Sequence, residues 1–135
     1  MSKSNATETA ILSYIFTATS PAWAAATDLD IHLHTADPGE AGISTTSEAT
    51  YTSYAAVTVT RSTSDWTVTG NTVTNDNLIQ FPQCTGGSNT ITHVSITPSG
   101  STQILYSGAL NSSLAVSNGI QPQFAAGSAL SIQED

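Results

Sequence analysis

Basic residues are almost missing from this chain. Lys3 and Arg61 stand alone against ten Asp and Glu, for a formal net charge of -8 over 135 residues. A phosphate-binding surface needs clustered Lys and Arg to release counterions, so direct binding of nucleic acid is excluded as an expectation. Cysteine is nearly absent too. The single Cys84 has no partner for an internal disulfide, which fits assembly in a reducing cytoplasm. It reads as a small buried hydrophobe, because the stretch Pro82 to Gly87 offers a nucleophile neither a base nor an orienting group. No segment approaches the roughly 20 apolar residues that span a bilayer, so no membrane partner is expected. The apolar patch from Ala10 to Phe16 is short, and Glu8 and Ser13 break the secretion-signal pattern around it, so no cleaved leader is expected.

Motif chemistry is also sparse. There is no G-x-S-x-G, H-E-x-x-H, phosphate loop or cysteine-rich metal spacing. A Ser/His/Asp set can be drawn by hand from so many serines, yet no spacing favours one choice, so neither an enzyme nor a cofactor is expected. Heptads, collagen-type triplets and repeats of 20 to 50 residues are missing, which removes solenoids, propellers and a fibrous shaft.

What remains is 39% hydrophobic residues among abundant Thr, Ser, Val and Ile, a composition suited to half-buried strands. One helix is predicted, from about Ala6 to Thr17. Asn5 with Glu8 resembles a capping box; Ala10, Ile11, Tyr14 and Ile15 form a stripe that Leu12 and Phe16 widen, and Ser20-Pro21 ends the element. The stripe must be covered, either by the end of the same domain or by a neighbouring subunit. Trp23 is expected to anchor the connector that follows.

From Leu29 the period becomes two. Leu29, Ile31 and Leu33 point one way, Asp30, His32 and His34 the other, and Asp37-Pro38-Gly39 turns the chain. Residues 40–53 read as a long polar loop, either contacting a partner through Tyr51 and Tyr54 or packed on its own domain by those rings. Strands are predicted at Tyr54 to Arg61 with Ala55, Val57 and Val59 inward, at Trp66 to Val68 and Thr72 to Thr74 around a Gly70-Asn71 turn, and at Leu78 to Phe81. Further strands follow at Thr90 to Thr97, Gln103 to Ala109, Leu114 to Val116, Gln121 to Phe124 and Ala129 to Ile132. Turn signals every ten residues or so give a mainly β chain: a β-sandwich or jelly roll of about eight short antiparallel strands with one N-terminal helix. Residues 1–28 form the helix and connector and residues 29–135 the sandwich, in one compact domain overall.

Three groups of residues are candidates for chemistry or contact. Asp30, His32 and His34 share one strand face, and His93 on another strand would complete a divalent-metal set if it lies alongside; ordinary polar residues on an outer face are the competing reading, and no metal is expected. Arg61, the sole arginine, is expected to pair with a carboxylate such as Asp65, Glu40 or Glu48, or with a neighbouring chain, unless it is a solvated strand end. Ile11, Tyr14, Ile15, Tyr51, Tyr54 and Arg61 are the candidate interface residues.

The segments HLHTADPGEAG (His32 to Gly42), SEATYTSYAAVTVTRS (Ser47 to Ser62) and TVTNDNLIQFPQCTGGSNTITHVSI (Thr72 to Ile96) closely resemble a family of small structural proteins of tailed bacteriophages, labelled tail-fibre-like or head-decoration proteins. The likeness runs from about Asp30 to Ala126. It implies a virion component with no catalytic or metal-binding residue. On that footing the chain is expected to be a non-enzymatic decoration or cement protein, made in the bacterial cytoplasm and seated on the outer capsid surface. Its expected partners are itself, as a homotrimer, and the major capsid protein, whose neighbouring subunits it would bridge. The alternative is a tail-fibre or tail-tip component whose partners are tail proteins and a host surface receptor.

Overall fold

The computed structural model describes residues 1–135. The chain runs β1 (Ser2–Lys3), α1 (Asn5–Thr17), a 3-10 turn (Ala22–Ala25), β2 (Asp28–His34), β3 (Val57–Thr60), β4 (Trp66–Thr69), β5 (Thr72–Asn75), β6 (Ile79–Gln80), β7 (Ser88–Pro98), β8 (Tyr106–Ser117), β9 (Gln123–Phe124) and β10 (Ser131–Gln133). It is the mainly β sandwich with one helix that the alternation predicts. A five-stranded antiparallel sheet, ordered β1-β8-β7-β2-β3, faces a three-stranded sheet, β10-β5-β4, and a short β6-β9 pair.

The core sits between these layers because the period-two residues of the central strands all turn inward. Ile31 opposes Ile96 and Leu33 opposes Val94 in the β2–β7 register, and all four are buried. Ile79, Phe81, Val116, Leu130 and Ile132 meet them from the other elements. Phe81 is the hub. Its ring stacks on Tyr54 at 6.4 Å and meets Phe124 edge-on at 6.2 Å, while Tyr51 meets Tyr54 edge-on at 5.3 Å. Such offset and edge arrangements add to plain burial, since each ring's positive edge meets a negative face. The Cys84 thiol is buried here as well.

Several boundaries differ from the sequence reading, each for a physical reason. Ser4, rather than Asn5, caps α1: its Oγ accepts from Thr7 N–H at 3.2 Å, and Asn5 is already helical. β3 starts at Val57, so Ala55 lies outside it and is exposed. The strands expected at Gln103 to Ala109 and Leu114 to Val116 merge into one long strand, β8, which starts only at Tyr106 and is broken by a bulge in which Leu110 to Ser113 face the single residue Thr92. β1 was not foreseen, being two residues paired to Tyr106 and Ser107. It is held by a clasp between the two ends of the chain: Lys3 Nζ and Tyr106 O–H both donate to the Glu134 carboxylate, which these bonds hold below the usual range.

One buried amide and one tight turn fix the irregular parts. Asn75 donates to Asn77 O and Ala125 O, both at 2.9 Å, and accepts from Leu130 N–H at 2.9 Å, so one amide knits the 125–130 segment to β5. At the predicted turn, Gly39 takes φ +72 and its N–H is held by Asp37 Oδ1 at 2.8 Å. Gly42 follows under tighter constraint, since a Cβ there would lie 2.0 Å from Pro38 O.

Candidate functional site

The histidine face of β2 is where chemistry was most plausible. The register sets His32 opposite Ser95, His34 opposite His93 and Asp30 opposite Thr97. This face is not open. The chain from Thr35 to Ala56 folds back over it, so that His34, Ser95 and Thr97 are all fully buried.

Burial obliges each polar atom to find a partner. His34 Nδ1 lies 2.8 Å from Thr46 O, an acceptor only, so Nδ1 carries the proton; Nε2 then accepts from the Ser95 hydroxyl at 2.7 Å. His32 Nδ1 lies 2.7 Å from Glu48 Oε1 and Nε2 lies 3.1 Å from Thr97 Oγ1. The same Glu48 oxygen accepts from Tyr54 O–H at 3.1 Å, and Tyr54 Oη accepts from Leu33 N–H at 3.0 Å. That last bond fills a gap in the sheet: β3 pairs with β2 only as far as Ile31, and beyond it Ala49 N–H bonds Leu33 O while Glu48 bridges His34.

Thr97, His32 and Glu48 thus stand in the order of a hydroxyl nucleophile, a base and an orienting carboxylate. Nothing can reach the hydroxyl, because Thr97 is 0% exposed. The arrangement binds a loop to a sheet. As a metal set the four candidates do not converge: both ring nitrogens of His32 and His34 are bonded to protein groups, Asp30 accepts from Thr58 at 2.7 Å, and His93 Nδ1 meets its neighbour Thr92 at 2.8 Å.

Burial, the largest cause, holds the His34 imidazole below its ordinary value of 6.5. The unfolded chain therefore takes up a proton at a pH where the folded chain resists it. Stability contributed by neutral His34 is complete above pH 6.5 and falls as the medium acidifies from 6.5 through the depressed folded value. The urea midpoint is expected to decline over that window, and the decline should flatten in His34→Gln. An unchanging midpoint from pH 7.5 down to about 5 would mean that the imidazole charges in place without cost.

The loop takes the second of its two readings. Tyr51 is 3% exposed and its hydroxyl donates to Pro82 O at 2.9 Å; Tyr54 is held by Glu48 and Leu33, and burial drives its phenol pKa far upward. Neither ring is free to meet a partner, which corrects their place among the interface candidates. Asn89 pins the same loop, its Oδ1 accepting from Thr50 and Tyr51 N–H at 2.7 and 2.8 Å. Asn89 and Glu48 lie 39 and 16 residues from their partners, and no local pattern marks them.

Arg61 also departs from expectation. It forms no ion pair with Asp65, Glu40 or Glu48; its Nη1 donates to Trp23 O at 2.9 Å, Ala24 O at 3.5 Å and Ala26 O at 2.5 Å. A guanidinium beside the carbonyl end of a helical turn adds donors there: Trp23 O also accepts from Ala26 N–H at 3.1 Å, while Ala24 O and Ala26 O accept from the arginine. Trp23 itself is half-buried, with its Nε1 enclosed and unpartnered.

The surface left for contact is the far end of α1. The helix is fastened at its first turn, where Thr7 Oγ1 and Ser4 Oγ donate to Ile104 O and Asn5 N–H bonds Glu40 O. Beyond that turn Leu12, Tyr14, Ile15 and Phe16 are 57, 58, 64 and 78% exposed, and Ile11 is half-buried. Contiguous apolar patches of this kind are uncommon on the surfaces of monomeric proteins. A second open apolar feature is a cleft of about 380 Å³ between the two layers, with Leu29, Trp66, Val68, Val73, Ile96 and Ile132 in its walls and Arg61 at its edge. Sequence reasoning missed the cleft, since its walls come from six strands spread between Leu29 and Ile132.

Compared with known proteins, residues 2–132 match a family model described as Podophage GP4 fiber I protein gp80. No curated protein matches the chain.

Proposed function

Because the chain belongs to the podophage GP4 fiber I protein gp80 family and is thus a phage structural protein, we propose that it serves the virion as a non-enzymatic, tail-associated fibre subunit recognising a host surface ligand. The match over nearly the whole chain carries this reading, and it moves the weight from the head to the fibre. The buried Thr97–His32–Glu48 group supports a structural role, because this nucleophile-like arrangement serves to hold a loop. An outer surface of hydroxyls and amides, with few fixed charges, suits a ligand bound through hydrogen bonds and stacking. The subunit works as an oligomer, a homotrimer in this reading, and the exposed end of α1 is its contact with other virion chains.

Capsid decoration is the second reading, favoured by the absence of any heptad or triplet pattern that would build a shaft. Copy number separates the two. A handful of copies at one vertex, with particles lacking the protein intact but unable to adsorb to cells, is the expected result. Hundreds of copies over the shell, with protein-free particles that adsorb normally but rupture on heating, would establish cement instead.

A further inference from the structure

Past Ser107 strand β8 is an edge, since β1 pairs only with Tyr106 and Ser107 on that side and β7 takes the other. On this edge the bulge from Leu110 to Ser113 leaves Asn111, Ser112 and Ser113 exposed, and none of these three side chains hydrogen-bonds within the chain. A bulge can serve simply to blunt an edge against pairing with another strand. Here it also forms one wall of a pocket of about 300 Å³, whose other wall comes from the segment between Gln123 and Ser131. Leu110, Leu114, Phe124 and Leu130 supply apolar surface in the lining.

The second wall is irregular as well. Ser128 takes φ 136 beside Gly127 at φ 88, a backbone region that a side chain resists. Asn75, 1% exposed, holds the segment there: its backbone O accepts from Gly127 N–H at 2.9 Å, and its side-chain amide bonds Ala125 O and Leu130 N–H on either side. Backbone kept in a sparsely populated conformation by its surroundings gathers at ligand sites, and bulges gather beside them. Blunting the edge of β8 accounts for the bulge alone. It does not account for a strained and firmly held wall facing that bulge across a pocket.

The lining holds no Asp, Glu, Lys, Arg or His, so it has no side chain to neutralise a charged ligand. It presents the amides of Asn111 and Gln123 and the hydroxyls of Ser112, Ser113 and Ser131, groups that both donate and accept, beside leucines and one aromatic ring. A pyranose has the same mixture, with C–H faces and a rim of hydroxyls that also donate and accept. An extended peptide fits less well, because it would add to the edge of β8 through the backbone ladder, which the bulge interrupts. We propose that the pocket between the β8 bulge and the 123–131 segment binds a neutral saccharide, with Phe124 and Leu114 against the sugar ring and Asn111 and Ser113 on its hydroxyls. This inference rests on the reading of the chain as a subunit that recognises a host surface ligand, and it names the chemistry of that ligand.

The test is a nitrogen-15 amide NMR titration of the full chain with the methyl pyranosides of glucose, galactose, mannose and rhamnose, and with methyl glucuronide as the charged comparison. At least one neutral glycoside should shift the amides of residues 109–114 and 129–131 along a saturating curve, and the glucuronide should bind more weakly. Asn111→Ala with Ser113→Ala should leave the melting temperature unchanged, both side chains being exposed, and weaken binding by about tenfold through the loss of two hydrogen bonds. Ser112→Ala alone is the second variant, with a smaller loss expected. Shifts confined to other residues, no response to any of the four neutral glycosides, an equal response to glucuronide, or full affinity in the double variant would each overturn the proposal. The fibre reading fails separately. Particles that lack the protein yet adsorb normally would remove that reading and leave a measured saccharide site standing, whereas lost adsorption with no glycoside binding would keep the fibre reading and remove the site.

Discussion

Phe81→Ala is expected to destabilise the protein by about 3–5 kcal/mol, the usual cost of removing a buried aromatic ring together with the cavity it leaves. The expectation rests on position as well as on burial. Phe81 is 0% exposed, stacks on Tyr54 and meets Phe124, so it joins the loop packed on the large sheet to the β6–β9 pair across the core. Neighbours on separate elements cannot collapse together into the gap without breaking their own bonds: Tyr54 is tied to Leu33, and Phe81 N–H to Pro122 O at 2.9 Å. For a chain of this length the loss corresponds to a melting-temperature drop of roughly 10–20 °C. Phe81→Leu should recover more than half of it. A drop of only a few degrees in Phe81→Ala would show that the core is organised elsewhere.

The second large effect is expected at Glu48, whose carboxylate joins a strand, a loop and a sheet edge. Glu48→Ala removes the acceptor shared by His32 Nδ1 and Tyr54 O–H, leaving two enclosed donors without partners. Unsatisfied buried polar groups cost about 1–3 kcal/mol each, so a loss of about 2–6 kcal/mol is expected for the pair. Glu48→Gln keeps an acceptor oxygen and should lose less. Tyr54→Phe provides the decisive comparison, because its effect and that of Glu48→Ala should fall well short of adding in the double variant. Simple additivity in a denaturant titration would mean that the two side chains do not act through one bond.

The two substitutions probe parts of the chain that differ in how plainly the sequence speaks. Phe81 lies in a stretch whose alternation and following proline announce a short strand, and although β6 ends at Gln80, Phe81 keeps the inward side shared with Ile79. Glu48 lies in a stretch with no periodicity at all. Its importance depends on a loop that returns to β2 after a dozen residues, and local patterns carry no information about that return.

Sequence by itself determined the mainly β character, the helix near the N-terminus, the inward alternation of Ile31 and Leu33, and the Gly39 turn. Each follows from nearest-neighbour physics: side chains alternate along a strand, proline and glycine restrict or free the backbone, and a capped apolar run favours a helix. Tertiary structure alone decided that His32 and His34 are covered rather than exposed, that Tyr51 and Tyr54 face inward, that Arg61 serves carbonyls instead of a carboxylate, and that two apolar surfaces stay open. The reason is common to all four. A polar strand face, a tyrosine or an arginine has several ways of satisfying its hydrogen bonds at similar free energy, and the choice falls to whichever distant segment packs against it.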